Sequence, residues 1–370
     1  MLEVAAGSYP AGQLPSLLQR RRPEAEVYEG YRSAFAMGLQ TTTAAGTLSG
    51  TGPFARQGRQ AVAGLELWAQ AAGVRLTVID DGGSRSAALG AYADWLDRGV
   101  DLLIGPYGSG LVRVVAPLVC DLGRLLWNHG GAADDLARPG LVSLPAPASS
   151  YFEGAVREAV TRRMDRLLVA RGAGPFASAV SQGAVGCASG WGIDARTIMV
   201  GSLTAADAAD AALLVVGRFE EDVAVIRRVR GWPRSPALLG AVAAGLPAFG
   251  EQLGPAAEDV VGPVQWWPSR RRPAVGPSGA DFAGRYRRRT GREPSYVAAQ
   301  AAAAGYLADA AHRRGLAAET LRQWRTSTLL GDFALDAGWR QVGHRVRTIR
   351  WEHGRMVPVG QAPAAALGLD

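Results

Sequence analysis

No lysine occurs anywhere in the 370 residues; all 40 basic positions are arginine. That absence excludes the P-loop, whose signature needs a lysine after its glycines. Asparagine appears once, as Asn128, while Ala and Gly crowd every row. Such a bias reads as a GC-rich coding background rather than as selection for guanidinium chemistry. Cysteine is scarce too. Cys120 and Cys187 each fall in an apolar helical pattern in a different half of the chain. They are expected as buried free thiols, not as a disulfide framework.

The four histidines, His129, His312, His344 and His353, lack metal-ligand spacing, and neither His-Glu-x-x-His nor Cys-x-x-Cys occurs. No metal and no cofactor is expected. The Gly-x-Ser-x-Gly elbow is missing, which removes the best marker of a serine hydrolase. Gly105 to Gly110 (GPYGSG) is glycine-rich but wrongly spaced for a dinucleotide loop. No apolar run is long enough to span a bilayer. Residues 1–33 carry Pro10, Pro15, Arg20 to Arg22 and Pro23, which break any secretory core. As written, the chain is expected to be soluble and cytoplasmic by default, without an export address.

Hydrophobic residues make up 48% and charged ones 20%, the balance of a folded globular protein. The length suits two domains of ordinary size. A net charge of +7 would suit nucleic acid if the arginines lined one face. Instead Arg20 to Arg22, Arg270 to Arg272, Arg287 to Arg289 and Arg313–Arg314 sit in separate loops and helix ends, with no stacking ladder of aromatics. They read as solvated surface, and no nucleic-acid partner is expected.

Along the chain, short apolar runs alternate with amphipathic helical ones. Arg75 to Asp80 reads as a strand and Ser86 to Arg98 as a helix, with Leu89, Tyr92, Ala93 and Leu96 on one face. Val100 to Gly105 is a strand, Ser109 to Leu122 a helix, and Arg124 to Trp127 a strand. After a Pro-rich break at Leu144 to Ala148 the rhythm restarts. Helices are expected at Tyr151 to Arg162, Phe176 to Ser189 and Phe219 to Arg230. Strands are expected at Arg166 to Ala170, Thr197 to Val200, Ala212 to Val216 and Pro236 to Gly240. Strand–helix–strand alternation requires parallel sheets covered by helices on both faces. The class is α/β, doubly wound, appearing twice. The last third carries helices at Ala280 to Thr290 and Tyr296 to Arg314, then a hairpin turning at Glu352-His353-Gly354. Adjacent Asp80 and Asp81 point to opposite faces of a strand, so they read as a strand-end turn and not as a catalytic pair.

In doubly wound sheets, ligands bind outside the carboxyl ends of the strands. The strand VDLLIG ends at Gly105, and Ser109 sits where a helix cap belongs. Its hydroxyl and the first-turn N–H groups would form an anion site, with Tyr107 beside them.

Thr47 to Gly58 (TLSGTGPFARQG) resembles the start of the branched-chain amino-acid (Leu/Ile/Val) binding proteins of ABC transporters, a family of type I periplasmic binding proteins. The likeness continues through Val74 to Asp81, Gly99 to Ser109 (GVDLLIGPYGS) and Ala116-Pro117. It returns at Pro294 to Ala311 and at Leu330 to Gly338 (LLGDFALDAG), so most of residues 35–360 is covered.

The resemblance implies a solute-binding protein, not an enzyme, whose two lobes close on a small molecule like a Venus flytrap. The hinge would be three crossovers near Leu144–Ala148, Val261–Trp267 and Val342–Thr348. Lobe one is then 35–146 with 266–341, and lobe two is 147–262 with 346–360. An extension at 1–34 and a tail at 361–370, both loosely ordered, complete the chain. An ABC-transporter permease is the implied partner, and members of the family are usually exported. A cytoplasmic ligand sensor on the same fold is the alternative. An enzyme built in the cleft would have to use Tyr107, His129 and Asp81.

By the same resemblance, Asn128, His129, Gly130 and Gly131 form a ligand loop, in which Ala132 stands where the family has a threonine. Gln57 on lobe one and Phe176, Arg218 and Phe219 on lobe two take the places of ligand contacts. Val242 takes the place of the acid that neutralises a ligand ammonium, and Leu239 to Phe249 contains no acid. A buried ammonium would lack its partner there. The expected ligand is therefore neutral or anionic with an apolar or aromatic body, and not a plain zwitterionic amino acid. Trp127, Trp266 and Trp267 are expected at the cleft or hinge.

Overall fold

The computed structural model describes residues 41–359; the extension at 1–34 and the tail at 361–370 lie outside the described residues. Two largely parallel sheets carry the chain. The first contains β1 (Thr43–Leu48), β2 (Arg75–Asp80), β3 (Leu102–Ile104), β4 (Leu126–Asn128) and β5 (Leu141–Ser143), in the order β2-β1-β3-β4-β5. Each neighbouring pair is parallel. Helices α1 (Ala55–Ala72), α2 (Arg85–Asp97) and α3 (Ser109–Cys120) make the crossovers. The turn after β2 is tied by its two acids. Asp80 Oδ1 accepts from the N–H of Gly50 and Gly82, and Asp81 Oδ1 from the Ser49 hydroxyl and the Gly83 N–H.

The second sheet begins with α4 (Glu153–Thr161), β6 (Arg166–Arg171), α5 (Pro175–Gly190), β7 (Asp194–Met199) and the single turn α6 (Ala205–Ala208). It continues through β8 (Ala212–Val216), α7 (Phe219–Arg230), β9 (Leu238–Ala241), α8 (Pro247–Leu253) and β10 (Val260–Val264). Every residue of β8 is buried, as a central parallel strand covered on both faces should be. The chain then returns to the first sheet with α9 (Gly279–Thr290), α10 (Tyr296–Arg313), α11 (Ala318–Gln323) and a small hairpin of β11 (Thr326–Thr328) and β12 (Gly331–Phe333). It ends in β13 (Arg347–Glu352), which adds antiparallel to β10, and β14 (Arg355–Pro358), which adds antiparallel to β13. The full order is β14-β13-β10-β9-β8-β6-β7. His353 and Gly354 both have positive φ, 51° and 74°, as a two-residue hairpin whose twist matches its strands requires.

The chain passes between the sheets three times: after β5, after β10 and before β13. Val261 to Val264, expected inside the second crossover, belongs to β10, and the crossing starts at Gln265. Gln265 ties two crossings together. Its Oε1 accepts from the Ala146 N–H at 2.8 Å, and its amide donates to the Tyr151 hydroxyl.

Several expectations shift in detail. Helix α2 buries Ala88, Tyr92 and Trp95, so Trp95 is core and Leu89, Ala93 and Leu96 flank it. Helix α10 is buried almost all round because it lies between α1 and the sheet. Cys120 and Cys187 are free but only half-buried. Trp127 packs into the core beneath β4 instead of facing the cleft, whereas Trp266 and Trp267 do lie on the second crossing.

Candidate functional site

A cavity of about 300 Å³ opens between the two sheets. Most of its wall is made of turns and first helical turns that follow the carboxyl ends of β3, β4, β6, β8 and β9. At such ends the chain leaves the sheet and its first helical N–H groups face outward, which is why ligands collect there.

Lobe one contributes Phe54 and Gln57 from the start of α1, Tyr107 to Gly110 after β3, Gly130 and Ala132 after β4, and Tyr296 and Gln300 from α10. Lobe two contributes Phe176 from α5, Gly217, Arg218, Phe219 and Asp222 from the start of α7, and Val242, Ala243 and Leu246 after β9. Pro145, Tyr151 and Gln265 enter from the crossings. Aromatic rings thus surround the space. Phe54 and Tyr107 meet edge to face with centroids 5.7 Å apart, as do Tyr151 and Phe176 at 5.3 Å. Across the cleft, the Arg56 guanidinium of lobe one sits 4.6 Å from the Phe219 ring centroid of lobe two.

Eight of the residues expected at the site line this cavity: Gln57, Tyr107, Ser109, Gly130, Phe176, Arg218, Phe219 and Val242. Three others do not reach it. Asn128 is fully buried behind the wall. Its Oδ1 accepts from the N–H of Gly130 and Gly131 at 3.1 and 2.7 Å, and its amide donates to the Gly131 carbonyl at 2.6 Å. It shapes the loop and leaves no atom for a ligand. His129 is likewise fully buried, with neither ring nitrogen paired among the described residues. Burial pushes its pKa down to about 4, so the ring is neutral. Gly131 lies against Val112 and Leu136, within 3 Å or less of where a Cβ would stand. The glycine pair makes room for neighbouring side chains: a Cβ on Gly130 would fall 2.5 Å from the Tyr107 ring.

Ser109 lines the cavity in a different role from the expected cap. The helix cap is Gly108, and Ser109 is the first residue of α3. Its Oγ accepts from the backbone N–H of Ala132 at 3.2 Å and of Ala133 at 3.1 Å. With both acceptor positions filled, the hydroxyl has only its proton left to offer. That proton is free to be donated into the cavity, which Ser109 lines. Arg218 is exposed at the rim, and Val242 is buried in the wall, as an apolar residue should be.

The sequence reading missed Asp222, Gln300, Tyr296 and Tyr151. Asp222 follows Glu220 and Glu221 in the first turn of α7, where acids are ordinary partners of the helix dipole. One signal was available: Phe219, Asp222, Val223, Ile226 and Val229 fall on the buried face, so this acid occupies a core position. Its carboxyl is buried, with a pKa raised well above the usual range by desolvation. Tyr107, Tyr151 and Tyr296 are un-ionised phenols; burial, with Asp222 adding to it, pushes Tyr296 up to about 12.

Among the described residues no group of histidine, cysteine and acids is arranged to hold a metal ion, and no helix is long and apolar enough to cross a membrane. No curated protein matches the chain. Solved structures do match. The leucine-binding protein LivK of Thermotoga maritima superposes with a TM-score of 0.72 at 18% identity, over 86% of this chain and 97% of that one. LivJ of Streptococcus pneumoniae, a branched-chain amino acid transporter substrate-binding protein in complex with isoleucine, gives 0.71 at 16%, over 86% and 98%. A solute-binding protein of an R. palustris ABC transporter, in complex with benzoate, gives 0.71 at 15%, over 87% and 96%. The architecture is that of the two-lobed type I periplasmic binding proteins, and the model of the family described as "Periplasmic binding protein" matches residues 41–355. The chain belongs to the periplasmic binding protein family.

Proposed function

We propose that the chain binds an aromatic or apolar carboxylate, without turnover, and closes lobes 35–146 with 266–341 and 147–262 with 346–360 upon it. The permease of an ABC transporter would be the partner that senses closure. The observation that carries the ligand class is the donor-only Ser109 hydroxyl at the start of α3, inside a cavity walled by aromatic rings. A carboxylate accepts from Ser109 and from the first turn of α3, while Tyr107, Tyr151, Phe176 and Phe219 enclose an apolar body. Arg218 at the rim adds a favourable charge. That a relative of the same fold holds benzoate supports the same class. Turnover finds little support: His129 does not touch the cavity, and Asp81 is committed to its turn.

Titration followed by tryptophan fluorescence tests the reading, because Trp266 and Trp267 sit on a crossing that must bend on closure. Benzoate is expected to change the emission and leucine to leave it unaltered. Micromolar leucine binding, about −8 kcal/mol, with benzoate silent would overturn the ligand class. Ser109→Ala is expected to weaken benzoate binding by roughly 10- to 100-fold in calorimetry, the worth of about 1.5–3 kcal/mol for a hydrogen bond to a charged group. Unchanged affinity in that variant would remove Ser109 from the site.

A further inference from the structure

We infer that Asp222, with Tyr296 and Gln300, forms an uncharged hydrogen-bonding subsite that takes a hydroxyl or carboxamide of the ligand. The inference rests on the cavity being a small-molecule site, as proposed above. Asp222 is 1% exposed and lines the cavity from lobe two. Its Oδ2 accepts from the Ala243 N–H at 2.9 Å. Its Oδ1 is buried against the Gly217 backbone, whose N–H favours the ionised form against the larger desolvation, but makes no hydrogen bond of ordinary geometry among the described residues. Gln300, also 1% exposed, lines the cavity from lobe one, and its Nε2 is equally unpaired. Tyr296 and Gln300 stand four residues apart on α10 and so share one face.

Native proteins pair nearly all their buried polar groups, and the exceptions call for an explanation. Here two side chains, one from each lobe, line the same cavity, and each carries a buried polar atom without a hydrogen-bond partner among the described residues. One ligand group that both donates and accepts would satisfy the pair on closure, and would make closure depend on it.

The charge of that group follows from what surrounds Asp222. No ion pair to it occurs among the described residues, and the neighbouring side chain in sequence is another acid, Glu221. A buried carboxyl with no cation takes up a proton rather than remain ionised, and its pKa is indeed raised by burial. A carboxylic acid, a carboxamide and a phenol each donate and accept. A hydroxyl or amide on the ligand matches all three and brings no charge to strip of water. Asp222 also touches the backbone next to Val242, so an acid does stand beside that apolar residue, but as a neutral group.

Calorimetry with benzoate, 4-hydroxybenzoate and 4-(aminomethyl)benzoate on the wild type, Asp222→Asn and Asp222→Leu tests the subsite. The hydroxyl is expected to tighten binding at least tenfold over benzoate. That advantage should survive in Asp222→Asn, whose amide also donates and accepts, and vanish in Asp222→Leu. Equal affinity for benzoate and 4-hydroxybenzoate would overturn the inference. So would tightest binding of the amine, abolished by Asp222→Asn, which is the signature of an ion pair. Silence of all three probes would instead overturn the aromatic-carboxylate reading. The protonation of Asp222 is then decided without ligand, by the infrared difference between wild type and Asp222→Asn. A protonated-carboxyl band supports the neutral subsite, and carboxylate bands overturn it.

Discussion

Lowering the pH from 6.5 to 4 is expected to cost the wild-type fold about 3 kcal/mol, and the Asp222→Asn variant about 6, on the scale of 1.36 kcal/mol per proton and pH unit. His129 and His344 are buried, and desolvation pushes each pKa down to about 4 from the usual 6.5. Between those values the unfolded chain binds a proton on each ring and the folded chain binds none. Stability therefore rises with pH across this window and is lost as the pH falls through it. Asp222 works in the opposite sense. As the neutral acid inferred above, it holds a proton when folded and releases it when unfolded, so it offsets one of the two histidines. The difference is two protons less one, and removing the carboxyl restores the full two. Asp80 and Asp207, whose hydrogen bonds to backbone N–H and to threonine lower their pKa values against some desolvation, act only at more acid pH. Urea titrations at half-unit intervals measure the slope directly. A slope near one proton that doubles in Asp222→Asn, and falls to near zero in His129→Phe, is the expected pattern. An unchanged slope in Asp222→Asn would mean that its carboxyl is ionised in the fold.

The two histidines and the acid also mark where sequence reasoning reaches its limit. The parallel sheets were legible because strands such as ALLVV are uniformly apolar and the helices between them keep a 3.6-residue period. The loops at the carboxyl ends of β3, β4, β6 and β8 could be named for the same reason, since topology alone assigns them to the cleft. Position within a loop was not legible. Asn128, His129, Gly130 and Gly131 are consecutive, yet only Gly130 reaches the cavity. The Asn128 side chain turns back on its own loop and thereby fixes which neighbour faces out. The acid at the cavity was illegible for a related reason: Leu239 to Phe249 contains none, as its sequence shows. Asp222 arrives instead from α7, about twenty residues earlier in the chain, and is tied to the segment after β9 through the Ala243 N–H. No local pattern reports a contact between two loops. Very short strands posed a different difficulty: β5 spans only Leu141–Ser143, too few residues for a period to show.

Trp68→Ala is expected to destabilise the protein by about 3–5 kcal/mol, the range for deleting a fully buried large aromatic side chain. Trp68 is wholly buried on α1, and its ring lies directly over Gly305 of α10. A Cβ on Gly305 would stand 2.2 Å from the ring, so the glycine exists to let the two helices and this tryptophan occupy the same layer. Gly305→Leu alone is therefore expected to destabilise as well, by overpacking. Together the two changes should partly cancel, because the added side chain enters the space that the ring vacates. A double-mutant cycle in urea is expected to give a favourable coupling of about 2 kcal/mol. Strict additivity would show that the helices do not share this contact. The same cycle bears on the cavity, because α10 carries Tyr296 and Gln300 into it. Trp68→Ala should weaken 4-hydroxybenzoate binding more than benzoate binding, and the double variant should recover part of that difference. Loss of both ligands in equal proportion would mean that α10 supports lobe one as a whole without positioning the hydrogen-bonding end of the site.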